Sequence, residues 1–175
     1  MNICRKNQKN LCGNKECQIC FIRSFASYEG TTENGKLKVE CWDDNNIDKN
    51  NNIIKPINVC KHTLKKYLFN CNICFHSFDS SIHNIVSHNN WCPYCSNQKL
   101  CDKDNCRICF KKSFASYEGK TKNGKLKVEC WDEKKNGDIK PINIFISSNK
   151  KYYFNCDICK HSFHTTIWTI TKKKI

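Results

Sequence analysis

The spacing of the cysteines is the main chemical signal of this 175-residue chain, which contains 16 of them. Cys71 and Cys74 form one Cys-x2-Cys turn, and Cys92 and Cys95 form a second. Such a turn places two sulfurs on one side of a tight loop, where both can bind one metal ion. Two turns joined by a short insert provide the four thiolates of a tetrahedral Zn²⁺ site. We therefore predict structural zinc here, with disulfides or free thiols as the alternative.

The composition favours stabilisation by disulfides or metal over one large hydrophobic core. The chain is rich in Asn and Lys, and its hydrophobic fraction of 39% includes the cysteines. Chains of this kind are stabilised by disulfides or by metal. Residues 1–8 contain no apolar signal-peptide segment, and no apolar run approaches the length of a membrane span. We expect an intracellular protein that is not secreted (in the host cytoplasm or a virion if it is viral), where reduced thiols hold zinc.

The formal net charge of +14 overstates how basic the folded chain would be. Each zinc-bound thiolate carries a negative charge that the formal count omits, so three complete four-cysteine sites would lower the net charge to about +8. The remaining excess indicates an acidic partner, although an AT-rich genome would produce the same abundance of Lys, Asn and Ile. Arginine occurs only at Arg5, Arg23 and Arg107. Lysine suits phosphate, whereas bidentate reading of bases favours arginine.

An internal repeat organises the whole chain. Its second copy is incomplete, because no second Cys-Pro-x-Cys follows Cys156 and Cys159. We predict a partial knuckle of a preceding repeat at residues 1–10, a first zinc-binding repeat at 11–99 and a second at 100–175. The matching segments are Leu11–Cys20 with Leu100–Cys109, Ser24–Gly30 with Ser113–Gly119, Asn34–Asp43 with Asn123–Asp132, and Phe69–Phe78 with Phe154–Phe163.

Local patterns predict short elements and little regular secondary structure. Aromatic-rich strands are expected at 65–70 and 150–155, each entering a Cys-x2-Cys turn, with a return strand at 76–81. The alternation of polar and apolar residues also predicts a strand at 36–41. Short helices are expected at 21–28, 82–88 and 110–117. Most of the aromatic side chains near the turns are expected to form a small core. The fold class is therefore a small metal-stabilised α+β fold.

Several motifs resemble the zinc-ribbon, treble-clef-like repeat family of giant DNA viruses, related units of which occur in bacterial nuclease-associated proteins. The resemblance covers nearly the whole chain and implies tandem zinc-binding repeats. It implies no established activity. The motifs are Lys-Pro-x-x-Val, Tyr-x-Phe-Asn-Cys-x2-Cys-x-His-x-Phe, Trp-Cys-Pro-Tyr-Cys-Ser-Asn and Leu-Cys-x4-Cys-x2-Cys-Phe-x2-Ser-Phe-Ala-Ser.

One departure from that family bears on the remaining zinc ligands. Relatives often carry His after Ser-Phe-Ala-Ser, where this chain has Tyr28 and Tyr117, which are not ordinary zinc ligands. We therefore predict that a cysteine before a tryptophan completes each three-cysteine group. The alternative is that this cysteine only packs in the core, with water or a distant His as the fourth ligand. The predicted groups are Cys12, Cys17, Cys20 and Cys41, and Cys101, Cys106, Cys109 and Cys130. Cys156 and Cys159 are predicted to form a weak fourth site, which His164 would partly complete.

The sequence favours a non-enzymatic binding module. Four-cysteine sites are closed, whereas catalytic zinc keeps an open position. DNA or RNA is the leading partner, bound electrostatically through Lys65, Lys66, Lys150 and Lys151 beside the two hairpins. The alternative is a protein-interaction or virion-associated structural array in which zinc is only a staple; a targeting module for a separate nuclease is a third interpretation. No membrane or small-molecule substrate is expected.

Overall fold

The computed structural model of the protein describes residue 4, residues 10–103 and residues 105–172. The chain divides into two compact units, Met1–Ser96 and Asn97–Ile175, which contain the two copies of the repeat. The boundary predicted from the repeat lies between residues 99 and 100. The predicted partial knuckle at residues 1–10 lies mostly outside the described residues. None of the described helices is long and apolar enough to cross a membrane.

Each unit contains one two-stranded antiparallel hairpin and several short helices, which confirms the predicted fold class. Short 3-10 turns, such as Phe25–Ser27 and Phe114–Ser116, connect these elements. The first unit contains α1 (Gln18–Arg23), β1 (Lys66–Asn70), β2 (Ser77–Ser81) and α2 (Ile82–Ser87). The second contains α3 (Arg107–Lys112), α4 (Glu133–Asn136), β3 (Lys151–Asn155), β4 (Ser162–Thr166) and α5 (Ile167–Lys172).

The hairpin of the first unit forms because alternate residues of β1 are aromatic. Tyr67 and Phe69 point to the buried face, whereas Leu68 between them is exposed. Phe69 lies directly opposite Phe78 of β2, so both strands contribute a ring to the same face. The predicted strand and its predicted return strand are thus present, each within one residue of its predicted bounds.

A capped helix follows β2 directly. The Ser81 hydroxyl accepts a hydrogen bond from the backbone N–H of Asn84 at 3.2 Å, which satisfies a free donor at the start of α2. Ile82 and Ile85, three residues apart, are both fully buried. The Tyr28 hydroxyl donates to the Ile85 carbonyl at 3.1 Å. The segment after α1 is thereby tied to α2.

Phe69 is the centre of the first unit's core and is fully buried. Its ring lies 5.8 Å from Phe25 and 5.4 Å from Trp42, both at steep angles, and 5.8 Å from the stacked ring of Phe78. The indole of Trp91 meets it edge to face at 5.7 Å. Such arrangements match the electrostatic preference of aromatic rings. The small core therefore consists mainly of the aromatic residues beside the thiol turns, as predicted.

The second unit repeats this core with fewer rings. Phe154 is buried and contacts Phe114 at 5.9 Å and Trp131 at 5.4 Å. Phe163, opposite it in the hairpin, lies 6.0 Å away. Ile167 of α5 is fully buried in the same cluster.

The strand predicted at residues 36–41 is not formed. Lys38–Cys41 is a 3-10 turn instead. Lys38 and Cys41 are only 2% and 3% exposed, and burying two residues three positions apart fits the three-residue period of a 3-10 turn and not the alternation of a strand. The Lys38 ammonium donates to the side-chain oxygen of Asn89 at 2.5 Å. Burial lowers the pKa of Lys38.

In each hairpin, an asparagine side chain forms hydrogen bonds with the free backbone edge of the first strand. Asn46 donates to the backbone carbonyl of Leu68 at 2.9 Å and accepts from its N–H at 2.7 Å. Asn136 makes the same pair of bonds with Tyr153, at 2.8 and 2.9 Å. The two units differ in the loop that presents this residue, because α4 replaces the longer Asn-rich loop of the first unit.

Replacing Phe69 with Ala should destabilise the first unit strongly. Removing a fully buried ring that touches other aromatic rings typically lowers the free energy of unfolding by about 3–5 kcal/mol. Leu68→Ala, on the exposed face of the same strand, is the matched control and should cost less than about 1 kcal/mol. Urea unfolding of the zinc-loaded protein, followed by circular dichroism, measures both. Equal losses would show that Phe69 is not the core anchor.

Candidate metal centres

The central thiol group of the first unit consists of Cys71, Cys74, Cys92 and Cys95, whose sulfurs all lie within 4.8 Å of one another. The sulfurs of Cys71 and Cys95 are 3.6 Å apart, and those of Cys74 and Cys92 are 3.4 Å apart. A tetrahedral zinc ion with Zn–S bonds of about 2.3 Å needs sulfurs about 3.8 Å apart. The spacing and the donor type therefore fit zinc. These are the four residues that the two Cys-x2-Cys turns predict.

Backbone hydrogen bonds set the geometry of both turns. The N–H of Cys71 donates to the His76 carbonyl at 2.9 Å, and the N–H of Phe75 donates to the Cys71 carbonyl at 2.9 Å. Phe75 adopts a left-handed φ of 58°, which lets the chain reverse within the turn. In the second turn, the N–H of Ser96 donates to the Cys92 carbonyl at 3.1 Å. Each pair of sulfurs is thus positioned locally.

Trp91 fixes the second turn against the hairpin. Its ring meets Phe69 at 5.7 Å and Phe78 at 5.1 Å, both edge to face. The ammonium of Lys38 lies 5.6 Å from the centre of the indole. An indole directly before Cys92 therefore brings two thiols to the two thiols of the hairpin turn.

Burial opposes the ionisation of two of the central thiols. Burial raises the pKa of Cys92 to about 12 and also raises the pKa of Cys95 well above its ordinary value. Burial acts in the same direction at Cys71, but the backbone N–H groups of Cys74 and Ile73 oppose it and leave the pKa of Cys71 below its ordinary value. A bound divalent cation stabilises all four thiolates and displaces their protons.

The N-terminal thiol group consists of Cys4, Cys12, Cys17 and Cys20, again within 4.8 Å of one another. Cys17 precedes α1, and Cys20 lies within it, so one helical turn presents both sulfurs. The N–H of Cys12 donates to the Cys20 sulfur at 3.4 Å. Hydrogen bonding to the Asn14 backbone, and then to Cys20, lowers the pKa of Cys12 to about 7. Hydrogen bonds with the neighbouring thiols raise the pKa of Cys4 to about 12.

The structure brings Cys4, and not Cys41, to this N-terminal group. Cys41 is 3% exposed and lies beside Cys71 and the backbone of Asn72, where burial raises the pKa of its thiol. It thus takes the position of a small buried side chain, which is the alternative considered for it in the sequence analysis.

The thiol group of the second unit consists of Cys101, Cys106 and Cys109, whose sulfurs lie within 4.8 Å of one another. The N–H of Cys101 donates to the Cys109 sulfur at 3.3 Å, as in the N-terminal group. The structure does not place Cys130 with them. Cys130 is 7% exposed, and its thiol lies 3.8 Å from the Leu126 carbonyl. Zinc in a structural site takes four ligands, and the described residues of this unit provide only these three.

Cys156 and Cys159 form a turn with the backbone geometry of Cys71 and Cys74. The N–H of Cys156 donates to the His161 carbonyl at 2.9 Å, and Lys160 adopts a φ of 61°. Hydrogen bonding to the His161 backbone lowers the pKa of Cys159. His164 does not join this pair, because strand alternation places it on the opposite face from the adjacent Phe163. Within the described part of the second unit, this site therefore has two ligands.

The four predicted phosphate-binding lysines are exposed at the entrances to the two hairpins and lie outside the thiol groups. Lys65 and Lys66 precede or begin β1, and Lys150 and Lys151 have the same positions at β3. The environments differ, because Lys66 forms an ion pair with Asp79 at 3.0 Å.

The fold and the thiol groups together define a tandem metal-stabilised finger protein. Residues 42–98 and 128–174 match the family described as "Probable Treble clef zinc finger domain", and the chain belongs to this family. Each match includes one hairpin and its Cys-x2-Cys turn. The match confirms the resemblance noted from the motifs, and the chemistry of the thiol groups agrees with zinc as the bound metal.

The chain is also similar to an uncharacterized protein of Acanthamoeba polyphaga mimivirus. The two are 30% identical over 152 residues, which cover 85% of this chain and 31% of the relative. The chain thus spans about a third of the length of that viral protein. This similarity supports the relationship to giant-virus proteins.

We expect about three zinc ions per chain, one for each thiol group. Because the cores are small, removing the metal should unfold the chain and not merely loosen it. Elemental analysis of protein purified without added metal measures the zinc content, and circular dichroism after addition of a strong chelator measures the folding. Fewer than two bound zinc ions, iron in their place, or an unchanged far-ultraviolet spectrum would contradict the assignment.

Cys4→Ser and Cys41→Ser should have different effects. Cys4→Ser should lower the zinc content by about one ion per chain, because it removes a ligand of the N-terminal group. Cys41→Ser should keep the zinc and lower the free energy of unfolding by about 1–3 kcal/mol, since it buries a hydroxyl. Zinc content and urea unfolding of both variants give the comparison. Loss of zinc from Cys41→Ser alone would restore Cys41 as the fourth ligand.

Proposed function

We propose that this protein is a non-enzymatic zinc-binding module that binds nucleic acid electrostatically. One observation carries the proposal: the second unit exposes an aromatic ring beneath a lysine on the outer face of its hairpin. Tyr153 is 40% exposed, and the ammonium of Lys135 lies 5.3 Å from the centre of its ring. The ring of His164 lies 5.7 Å from it on the neighbouring strand. A base can stack on such a ring while the cation meets the phosphate.

The alternation of side chains along β3 determines which residues lie on the outer face of the second hairpin. Lys151 and Tyr153 are two residues apart in β3 and therefore point away from the buried Phe154. Lys150 lies next to the same strand, and Lys135 is presented by α4. The outer face of the second hairpin thus combines Lys151 and Lys135 with an accessible aromatic side chain, and Lys150 lies just before the strand.

The outer face of the first hairpin has a different character. Leu68 has the position of Tyr153, and Asp79 has that of His164. Asp79 also pairs with Lys66, which offsets part of the positive charge. We therefore assign the main nucleic-acid contact to the second unit and a weaker, purely electrostatic one to the first.

The thiol groups serve as staples in this proposal. In the N-terminal and central groups, a zinc ion held by four thiolates has no open position for a substrate or an activated water. The contact residues on the hairpin faces are not metal ligands, so binding and metal retention can be separated experimentally. The proposed setting is the reducing interior of a cell or a virion, where thiolates remain available for zinc.

Binding should weaken steeply with salt and depend little on sequence, because lysine–phosphate contacts release counterions. Fluorescence anisotropy with labelled single- and double-stranded DNA and RNA, from about 25 to 200 mM salt, measures this dependence. Lys150→Glu/Lys151→Glu should reduce the salt slope by about 2, and the matched Lys65→Glu/Lys66→Glu pair should reduce it less. Tyr153→Ala should weaken single-strand binding by about fivefold or more, since stacking contributes about 1–3 kcal/mol per base.

Leu68→Ala is the matched control for Tyr153→Ala and should leave binding unchanged. All variants should retain zinc, since none of the substituted residues is a ligand. Salt-insensitive binding, or no binding to any nucleic acid at low salt, would exclude the proposal and favour the protein-interaction array.

A further inference from the structure

Two turns with the same Asn-Gly-Lys sequence differ in how they hold the asparagine. Asn34-Gly35 in the first unit and Asn123-Gly124 in the second have matching positions in the repeat. The two glycines have φ values of 83° and 82°, and each donates to the carbonyl three residues before it at 3.0 Å. Both asparagines are exposed. The turns therefore differ in their side-chain contacts and not in backbone shape or access to solvent.

In the first unit, two donors hold the side-chain oxygen of Asn34. The amide nitrogen of Asn72 donates to it at 2.6 Å, and the Thr32 hydroxyl donates to it at 2.7 Å. Asn72 also donates to the Thr32 hydroxyl at 3.2 Å, so the three side chains contact one another. Any movement of the Asn34 carboxamide toward its own backbone would break both of its bonds.

In the second unit, an acceptor replaces the asparagine that supplies the first of these bonds. Asp157 has the position of Asn72, and an ionised carboxylate cannot donate a hydrogen bond to an amide oxygen. The Thr121 hydroxyl, the counterpart of Thr32, donates to Asp157 at 2.5 Å instead. Within the described part of this unit, no hydrogen bond holds the carboxamide of Asn123.

The third Asn-Gly pair of the chain is restrained like the first. Asn136, which precedes Gly137, donates to the Tyr153 carbonyl at 2.8 Å and accepts from its N–H at 2.9 Å. Among the described residues, Asn123 is therefore the asparagine before a glycine whose side chain can turn toward its own backbone.

We propose that Asn123-Gly124 is a site of spontaneous deamidation, whereas contacts with Thr32 and Asn72 protect Asn34. The backbone nitrogen of Gly124 attacks the side-chain carbonyl carbon of Asn123. Its proton passes to the side-chain nitrogen, which leaves as ammonia. Water then hydrolyses the five-membered succinimide at either carbonyl and gives aspartate or isoaspartate. Glycine after the asparagine favours ring closure, because it has no side chain to hinder the approach.

The modification changes the charge of one unit and not of the other. Either product carries a carboxylate in place of the neutral amide, which lowers the net charge of the second unit by one. The equivalent side chains of the first unit are 2.6 Å apart, so the new carboxylate forms near Asp157, which it repels. The two units therefore diverge in charge as the protein ages. This site goes beyond nucleic-acid binding, because its only reactant is water.

Peptide mass spectrometry of the full zinc-loaded chain tests the proposal. The protein is incubated in mildly alkaline reducing buffer, and a glutamate-specific protease then releases residues 34–40 and 119–129, each with one asparagine. Residues 119–129 should deamidate faster than residues 34–40 by about fivefold or more, which is the factor that two hydrogen bonds of ordinary net strength provide. Equal rates in the folded chain would overturn the proposal.

Exchange of the restraining residue is the matched control. Asp157→Asn should slow the deamidation of Asn123, because it supplies the donor that the first unit has. Asn72→Asp should accelerate the deamidation of Asn34 for the converse reason. Neither residue belongs to a thiol group, and elemental analysis with circular dichroism checks that both variants keep zinc and fold. If Asn72→Asp loses zinc, the Asp157→Asn result alone decides.

The unfolded chain provides the second control. In denaturant with a chelator, both peptides should deamidate at the same rate, because no side-chain contact remains. A difference that persists there would assign the effect to the flanking residues, Glu33 and Lys122, and would overturn the proposal. Unchanged rates in the folded Asp157→Asn variant would also overturn it. Nucleic acid is absent from these assays, so their outcome is independent of the proposed function.

Discussion

The closeness of the thiols is the constraint on which the rest of this structure depends. Sulfurs held within 4.8 Å of one another cannot all carry negative charge unless a cation lies among them. Because the chain has few aliphatic residues, hydrophobic burial contributes little to holding together two turns that are distant in the sequence. Zinc coordination therefore supplies folding energy, and the aromatic core sets the direction from which the turns approach.

Sequence reasoning succeeded where the geometry is local. A Cys-x2-Cys turn after an aromatic strand specifies its own hydrogen bonds, so the hairpins and the central thiol group could be predicted. The fourth ligand of the N-terminal group could not be predicted in this way, because Cys41 has a counterpart in the other repeat and looked equally suitable. The repeat gave no signal for Cys4, because Cys95, the cysteine that precedes Cys101, belongs to the central group and not to the group of Cys101. The strand predicted at 36–41 is absent for a related reason. Burial of Lys38 and Cys41 in the tertiary structure outweighed the local alternation of polar and apolar residues.

The two hairpins show how one scaffold carries different surfaces. Their inner faces are committed to packing, and both copies place Phe on each strand there. Their outer faces make no such contribution, so Leu68 and Asp79 in one copy can stand where Tyr153 and His164 stand in the other. The difference in chemistry between the two units therefore lies on the surfaces that folding leaves unspecified.

The asparagine that closes each hairpin has a consequence for how these units can associate. A two-stranded sheet normally offers an unpaired strand edge on which a foreign strand can add. Asn46 and Asn136 occupy the N–H and the carbonyl of one edge residue each, with an amide that imitates a neighbouring backbone. Strand addition at that position would have to break both bonds. Each unit is therefore protected against strand addition at Leu68 on the β1 edge or at Tyr153 on the β3 edge.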